Sequence, residues 1–156
     1  MSDPILTAAR EVFDEALDEL RMAIAGLDAA TLNRPPLPTE SNSLAVLVVH
    51  ALASSRMWLS LATAAEPPPR ERDEEFRTVV SDPAAFLVEF DATAAACRAL
   101  LGPDTVFDPT LEGVPPARMG TGAKEPVTAA WALLHAIAHI NEHVGHAQLT
   151  RQRSDA

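Results

Sequence analysis

The chain has 156 residues, enough for one domain with a core of ordinary size, so we expect residues 1–156 to form a single domain. Hydrophobic residues make up 47% and charged residues 22%, a globular composition that excludes a disordered chain. The formal net charge of -10 repels phosphate backbones and anionic lipid surfaces, so neither nucleic acid nor a membrane is expected as a partner.

The start of the chain and the single cysteine indicate the compartment. The first residues have neither the basic region nor the apolar region of a secretory signal. No apolar run reaches the ~18 residues that a membrane span needs. Cys97 has no second cysteine to pair with, and among its alanine neighbours it is interpreted as a small hydrophobic residue in the core. We therefore predict a cytoplasmic protein.

Two helices are predicted in the first half of the chain. The first opens at residues 3–4 with a capping aspartate followed by proline, and its apolar residues recur at helical spacing to about Gly26. Prolines within residues 32–40 prevent a helix there. The second helix begins after the capping residues 41–43 and runs to about Ala65, and its sequence is almost wholly apolar.

Two more helices are predicted after a charged piece at residues 70–77, which has room for one helical turn. The third begins at the aspartate and proline of residues 82–83 and closes at residues 102–103. A proline- and glycine-rich connector runs to about residue 125, and the fourth helix follows to about Arg153. Aromatic residues are only 4% and no strand pattern is convincing, so the prediction is an all-α, single-domain four-helix bundle.

Four of the five histidines fall on one side of the fourth predicted helix: His135, His139, His143 and His146. At ~100° per residue they form a stripe roughly 80° wide. Apolar residues occupy most of the remaining circumference, so the helix and its histidines are expected to be buried. Several buried imidazoles side by side cannot all be charged, and a metal ion that binds neutral imidazole nitrogens resolves this difficulty.

A metal site needs a ligand from a second helix, and His50 in the apolar second helix is the remaining histidine of the chain. The spacing H-x-x-x-H puts two ligands one turn apart, within reach of one ion at about 2.0–2.2 Å. An all-nitrogen site suits Zn, Ni or Fe and does not choose among them. The alternative interpretation is a metal-free bundle whose histidines hydrogen-bond one another.

Two segments resemble the signatures of the DinB/YfiT-like metalloprotein superfamily. Residues 43–58, SLAVLVVHALASSRMW, resemble the first signature, and residues 133–146, LLHAIAHINEHVGH, resemble the second. The resemblance implies a four-helix bundle of the DinB type, commonly a homodimer, in which His50, His139 and His143 bind a divalent metal ion.

The other polar residues of the stripe are candidates for supporting roles. Many members of the superfamily have Gln where this chain has His146, and the chain is similar in this respect to an actinobacterial-looking subgroup. His146 and His135 are candidates to orient a ligand or to carry protons, and a hydrogen bond to a backbone carbonyl is the alternative for each. Glu142, on one flank of the stripe, is a candidate base, and exposure to solvent is its alternative.

Three protein ligands leave open coordination positions, which is typical of a catalytic site. Either a metal-bound water attacks an ester or amide, or a low-molecular-weight thiol attacks an electrophile. The resemblance implies the second, a mycothiol-type S-transferase that acts on small-molecule electrophiles with mycothiol as cosubstrate. The alternatives are a metal-dependent hydrolase and a non-catalytic, metal-stabilised stress or binding protein.

Arg118 and Lys124 in the long connector are candidates to bind an anionic substrate, and the alternative for each is a solvated surface charge.

Overall fold

The computed structural model describes residues 3–116 and 125–154. Over these residues the regular structure is helical apart from one pair of two-residue strands, which confirms the predicted all-α fold. In chain order the elements are α1 (Pro4–Ile24), α2 (Ala29–Asn33), α3 (Leu44–Ala62), α4 (Arg72–Glu75), α5 (Pro83–Leu100), β1 (Glu112–Gly113), β2 (Val127–Thr128) and α6 (Ala129–Ser154).

Three of the long helices begin where the sequence places capping residues. Asp3 Oδ1 accepts hydrogen bonds from the backbone N–H groups of Ile5 and Leu6, and Asp82 Oδ1 accepts two in the same way at the start of α5. Ser43 Oγ accepts one from the third residue of α3. These side chains satisfy N–H groups that have no partner inside the helix, so the predicted starts are correct.

Two short elements were not predicted. Helix α2 is five residues long, is capped by the Asp28 carboxylate and ends just before the prolines at residues 35–36. Strand β1 lies in the middle of the predicted irregular connector, and it pairs in antiparallel fashion with β2, which directly precedes α6 at the predicted start of the fourth helix. Both elements are too short to show a sequence period. The candidate residues Arg118 and Lys124 lie outside the described residues.

The four long helices close into a bundle, because α3 packs against α5 and α6 and α1 packs against the same two helices. The short helices α2 and α4 contact α3. Alanine, leucine and valine fill most of the interior, as the composition predicts. The large side chains without exposed surface include Phe13, Leu17, Leu20, Leu59 and Ile140.

Helix α3 is, by length and composition, apolar enough to cross a membrane, and it is the one such helix among the described residues. The prediction counted uninterrupted apolar runs and missed this helix, because its histidine, arginine and three serines do not offset the apolar residues in the average. Of its most apolar window, 78% is buried inside the bundle, which is the pattern of a core helix.

Candidate metal centre

Three histidines from two facing helices converge at the contact between α3 and α6. One nitrogen from each of His50, His139 and His143 lies within 4.8 Å of the others. The ring of His50 is 5.3 Å from that of His139 and 5.1 Å from that of His143, and the two rings on α6 are 4.5 Å apart, centroid to centroid. The structure thus brings together the three residues named as ligands from the sequence.

The chemistry of these donors fits a metal ion. His139 Nδ1 and His143 Nδ1 are buried, and neither has a hydrogen-bond partner among the described residues. Burial and the neighbouring imidazoles lower the pKa of His139 to about 3 and that of His143 to about 4. Both rings are therefore neutral at neutral pH, as a metal ligand must be. Buried, uncharged imidazoles without a hydrogen-bond partner at Nδ1, beside a third histidine, are a donor set that fits a cation.

A buried carboxylate holds the third histidine. Glu75, which is 6% exposed, places Oε2 2.8 Å from His50 Nδ1. Arg70 donates to the same carboxylate through Nε at 2.6 Å and Nη2 at 2.9 Å. Burial opposes ionisation of Glu75, but the hydrogen bonds with His50 and Arg70 outweigh it and hold the pKa of the carboxyl below its ordinary value. An ionised Glu75 accepts a hydrogen bond from the Nδ1–H of His50 and leaves the Nε2 lone pair free for a ligand bond.

The sequence did not identify Glu75 or Arg70 as site residues, although both lie in the charged piece at residues 70–77. Four acidic residues stand between positions 71 and 75, and Glu75 is the one among them that is buried. A single helical turn has no apolar period that could show which acid faces inward. The contact of α4 with α3 decides it.

His135 belongs to an aromatic cluster beside the histidine site. Its ring stacks on that of Trp131 at 4.7 Å and 9°, and Trp58 meets it edge-on at 4.6 Å. The ring of His139 lies 5.8 Å away. The structure places His135 next to a candidate ligand and in ring contact with two tryptophans.

The expectation that all of α6 is buried was wrong. Trp131, Leu134 and Leu149 are 48%, 66% and 61% exposed, so one strip of this apolar helix faces solvent. His146 and Glu142 are also exposed. The ring of His146 lies 5.7 Å from that of His143, at the outer edge of the cluster. Of the two interpretations of Glu142, a base or a solvent-exposed residue, the structure agrees with the second.

Cys97 on α5 is fully buried. Burial raises the pKa of its thiol to about 12, so the thiol stays protonated and is a poor nucleophile. This agrees with its interpretation as a small hydrophobic residue.

The fold and the cluster define a class of protein, a helical bundle with three histidines that could hold a cation between two facing helices. A family model described as mycothiol S-transferase matches residues 8–156, and the chain belongs to this DinB-like family. The fold is also similar to that of the crystal structure described as the conserved protein of locus from Enterococcus faecalis, with a TM-score of 0.73, 20% identity and coverage of 99% of each chain. None of the curated proteins compared matches this chain.

Proposed function

We propose that this protein is a thiol-dependent S-transferase of the mycothiol type that acts on small electrophiles, with a divalent metal ion held by His50, His139 and His143. The observation that carries the proposal is the convergence of three imidazole nitrogens within 4.8 Å in a chain of the mycothiol S-transferase family. The low pKa values of the two imidazoles on α6 keep them available as ligands at the pH of a cell.

A divalent ion at this site would lower the pKa of a thiol, so that the sulfur is a thiolate at neutral pH. The three protein donors leave positions for a further ligand, and an all-nitrogen set suits Zn, Ni or Fe. In the reaction the thiolate sulfur forms a bond to the electrophilic carbon, and the leaving group departs with the electron pair of the bond that breaks. The thiol proton passes to solvent.

The chain's own residues prepare this site before any substrate arrives. Glu75 fixes the tautomer and the orientation of His50, and Arg70 keeps Glu75 ionised in a buried position. The reaction belongs in the cytoplasm, where low-molecular-weight thiols are kept reduced. Small-molecule substrates and a homodimeric state are part of the same proposal.

The metal assignment is tested by elemental analysis of the purified protein and of single histidine variants. We expect about one divalent ion per chain from a single three-ligand site. His143→Ala should lose the ion. His146→Ala is the matched control, because it removes a neighbouring imidazole that is exposed and outside the cluster, and its metal content should be unchanged. Unchanged metal in His143→Ala would overturn the ligand assignment.

The activity is tested by adding mycothiol and an activated chlorodinitroarene to the metal-loaded protein and following the conjugate. Conjugation should stop when a chelator removes the metal and return when the metal is restored. Bound metal without conjugation above background would contradict the transferase proposal and favour the non-catalytic alternative. Hydrolysis of esters without any thiol would favour the hydrolase.

A further inference from the structure

A cavity of about 300 Å³ lies next to the histidine cluster, between the connector that precedes α3 and the last turns of α6. Two of its lining residues are one helical turn from cluster histidines: Leu47 precedes His50 on α3, and His146 follows His143 on α6. The ring of His146, which lines the cavity, lies 5.7 Å from the ring of His143, centroid to centroid. The cavity therefore opens beside the candidate metal centre, along the contact of the same two helices.

The cavity walls are mostly apolar and carry a cation. Leu37 and Leu149 are 50% and 61% exposed, so they offer uncovered apolar surface to a ligand. Arg153 lines the cavity, and its guanidinium has no hydrogen bond or ion pair with a described residue. Among the described residues, no aspartate or glutamate lines the cavity.

The start of α3 adds to this positive character. Ser41 and Asn42 line the cavity directly before the capping residue of this 19-residue helix. The amino end of a helix of that length carries a partial positive charge. The Arg153 guanidinium is the charged group on the cavity wall, and the nearby amino end of α3 adds a favourable field for an anion.

A second cavity of about 250 Å³ differs in position and in charge. It lies between α3 and α5, and its lining includes Arg56, Arg70 and Glu89. Arg70 is already paired with Glu75, and Glu89 brings a negative charge that offsets Arg56. Both cavities adjoin the α3 side of the histidine cluster, and the first is the better match for an anionic substrate because, among the described residues, Arg153 has neither a partner nor an acidic neighbour in its lining.

We propose that the cavity beside His146 binds the electrophilic substrate and selects one with an apolar body and a carboxylate, which pairs with Arg153. Arginine binds carboxylates through two parallel hydrogen bonds, and the leucines cover the apolar part. This inference rests on the proposed transferase function for its reaction, in which the carbon–sulfur bond forms and the bond to the leaving group breaks.

The test compares two electrophiles of equal shape, a chlorodinitrobenzoate and the chlorodinitrobenzamide of the same substitution pattern, with mycothiol as the thiol. Arg153→Gln should raise KM for the benzoate about tenfold and leave KM for the amide within about twofold, since a charge-assisted pair is lost for one substrate alone. Arg153→Lys should restore part of the benzoate preference. Arg56→Gln, which removes the same charge at the other cavity, should change neither KM.

Binding of dinitrobenzoate, which has no leaving group, separates this inference from the transferase proposal. Calorimetry with the metal-loaded protein should show binding that weakens about tenfold in Arg153→Gln and is unchanged in Arg56→Gln. If Arg153→Gln weakens binding but the protein transfers no thiol, the proposed anion-binding cavity stands and the proposed transferase function is rejected. Equal affinity in wild type and Arg153→Gln would overturn the proposal that Arg153 binds the carboxylate. Direct binding of the carboxylate to the metal ion would give that result.

Discussion

The α3–α6 side of the bundle buries polar groups, whereas the α1–α5 side keeps its charged groups at the surface. On α3 and α6 the buried side chains include His50, three serines and Thr150, and α4 adds Glu75. Among the described residues of α1 and α5, no charged or hydroxyl side chain is buried. There the arginines reach partners across the surface, as Arg98 reaches Asp14. Both sides bury apolar residues; we call the α1–α5 side, which buries no charged or hydroxyl side chain among its described residues, the apolar half, and the α3–α6 side, which also contains the candidate metal centre, the polar half.

This division has a thermodynamic reason. Burial of apolar surface stabilises the fold without any requirement for partners. A buried imidazole or carboxylate costs free energy unless a hydrogen bond or a metal ion satisfies it. The polar half is thus expected to respond to metal and pH, and the apolar half to respond to changes in side-chain volume.

The largest effect on stability is expected in the apolar half. Phe13→Ala removes a ring that has no exposed surface and should lower the free energy of unfolding by about 3–5 kcal/mol. Chemical denaturation of the metal-free protein measures this loss. The folded fraction should still bind the same amount of metal. Loss of bound metal would show that packing in the apolar half affects the metal centre in the polar half.

Glu75→Gln should weaken metal binding by about 10–100-fold, because the ionised partner that orients His50 is lost. Competition with a chromophoric chelator measures the affinity. Glu74→Gln is the matched control, since Glu74 is the exposed neighbour and pairs with Arg77 at the surface. If both variants bind metal equally well, Glu75 has no orienting role.

Acid should destabilise the metal-free protein over a defined pH range. The folded-state pKa values of His139 and His143, about 3 and about 4, lie below the ordinary value of 6.5. Below pH 6.5 these two histidines bind protons in the unfolded chain but stay neutral in the folded protein. The free energy of unfolding therefore falls as the pH drops from 6.5 toward 4. After allowance for solvent screening we expect a loss on the order of 1–2 kcal/mol between pH 7 and pH 5. Denaturation midpoints in this range measure it.

The contribution of the two histidines is isolated by a variant. His139→Gln should show a shallower decline of stability with falling pH, because only one histidine with a lowered pKa remains. The low pKa of Glu75 acts in the same direction but at lower pH, where its carboxylate becomes protonated. A stability that is independent of pH between 7 and 5 would contradict the burial of neutral imidazoles.

The smallest effect is expected at the surface of the apolar half. Arg98 and Asp14 form an ion pair whose side chains are 41% and 40% exposed. Arg98→Gln should therefore cost about 0.5 kcal/mol or less and leave metal affinity unchanged. Thermal denaturation and metal titration measure both quantities. A loss of stability well above this value would show that the Arg98–Asp14 ion pair stabilises the fold more than an exposed ion pair is expected to.

The sequence was sufficient for most of the secondary structure because helix signals are local. An aspartate followed by proline marks the start of α1 and of α5, and the side chain–backbone hydrogen bonds form as expected. Helix α2 was missed because five residues carry no measurable period. The burial of α6 was overestimated, since the apolar residues Leu134 and Leu149 lie on its solvent-facing strip.

The histidine stripe on α6 and the lone histidine on α3 are determined by the sequence, because helical geometry alone aligns residues four apart. Their meeting within 4.8 Å depends on how α3 packs against α6. The partner of His50 could be found only in the tertiary structure, where α4 turns one of several adjacent acids inward as Glu75. Local periodicity decides which side chains share a face, and packing between helices decides which side chains that face meets.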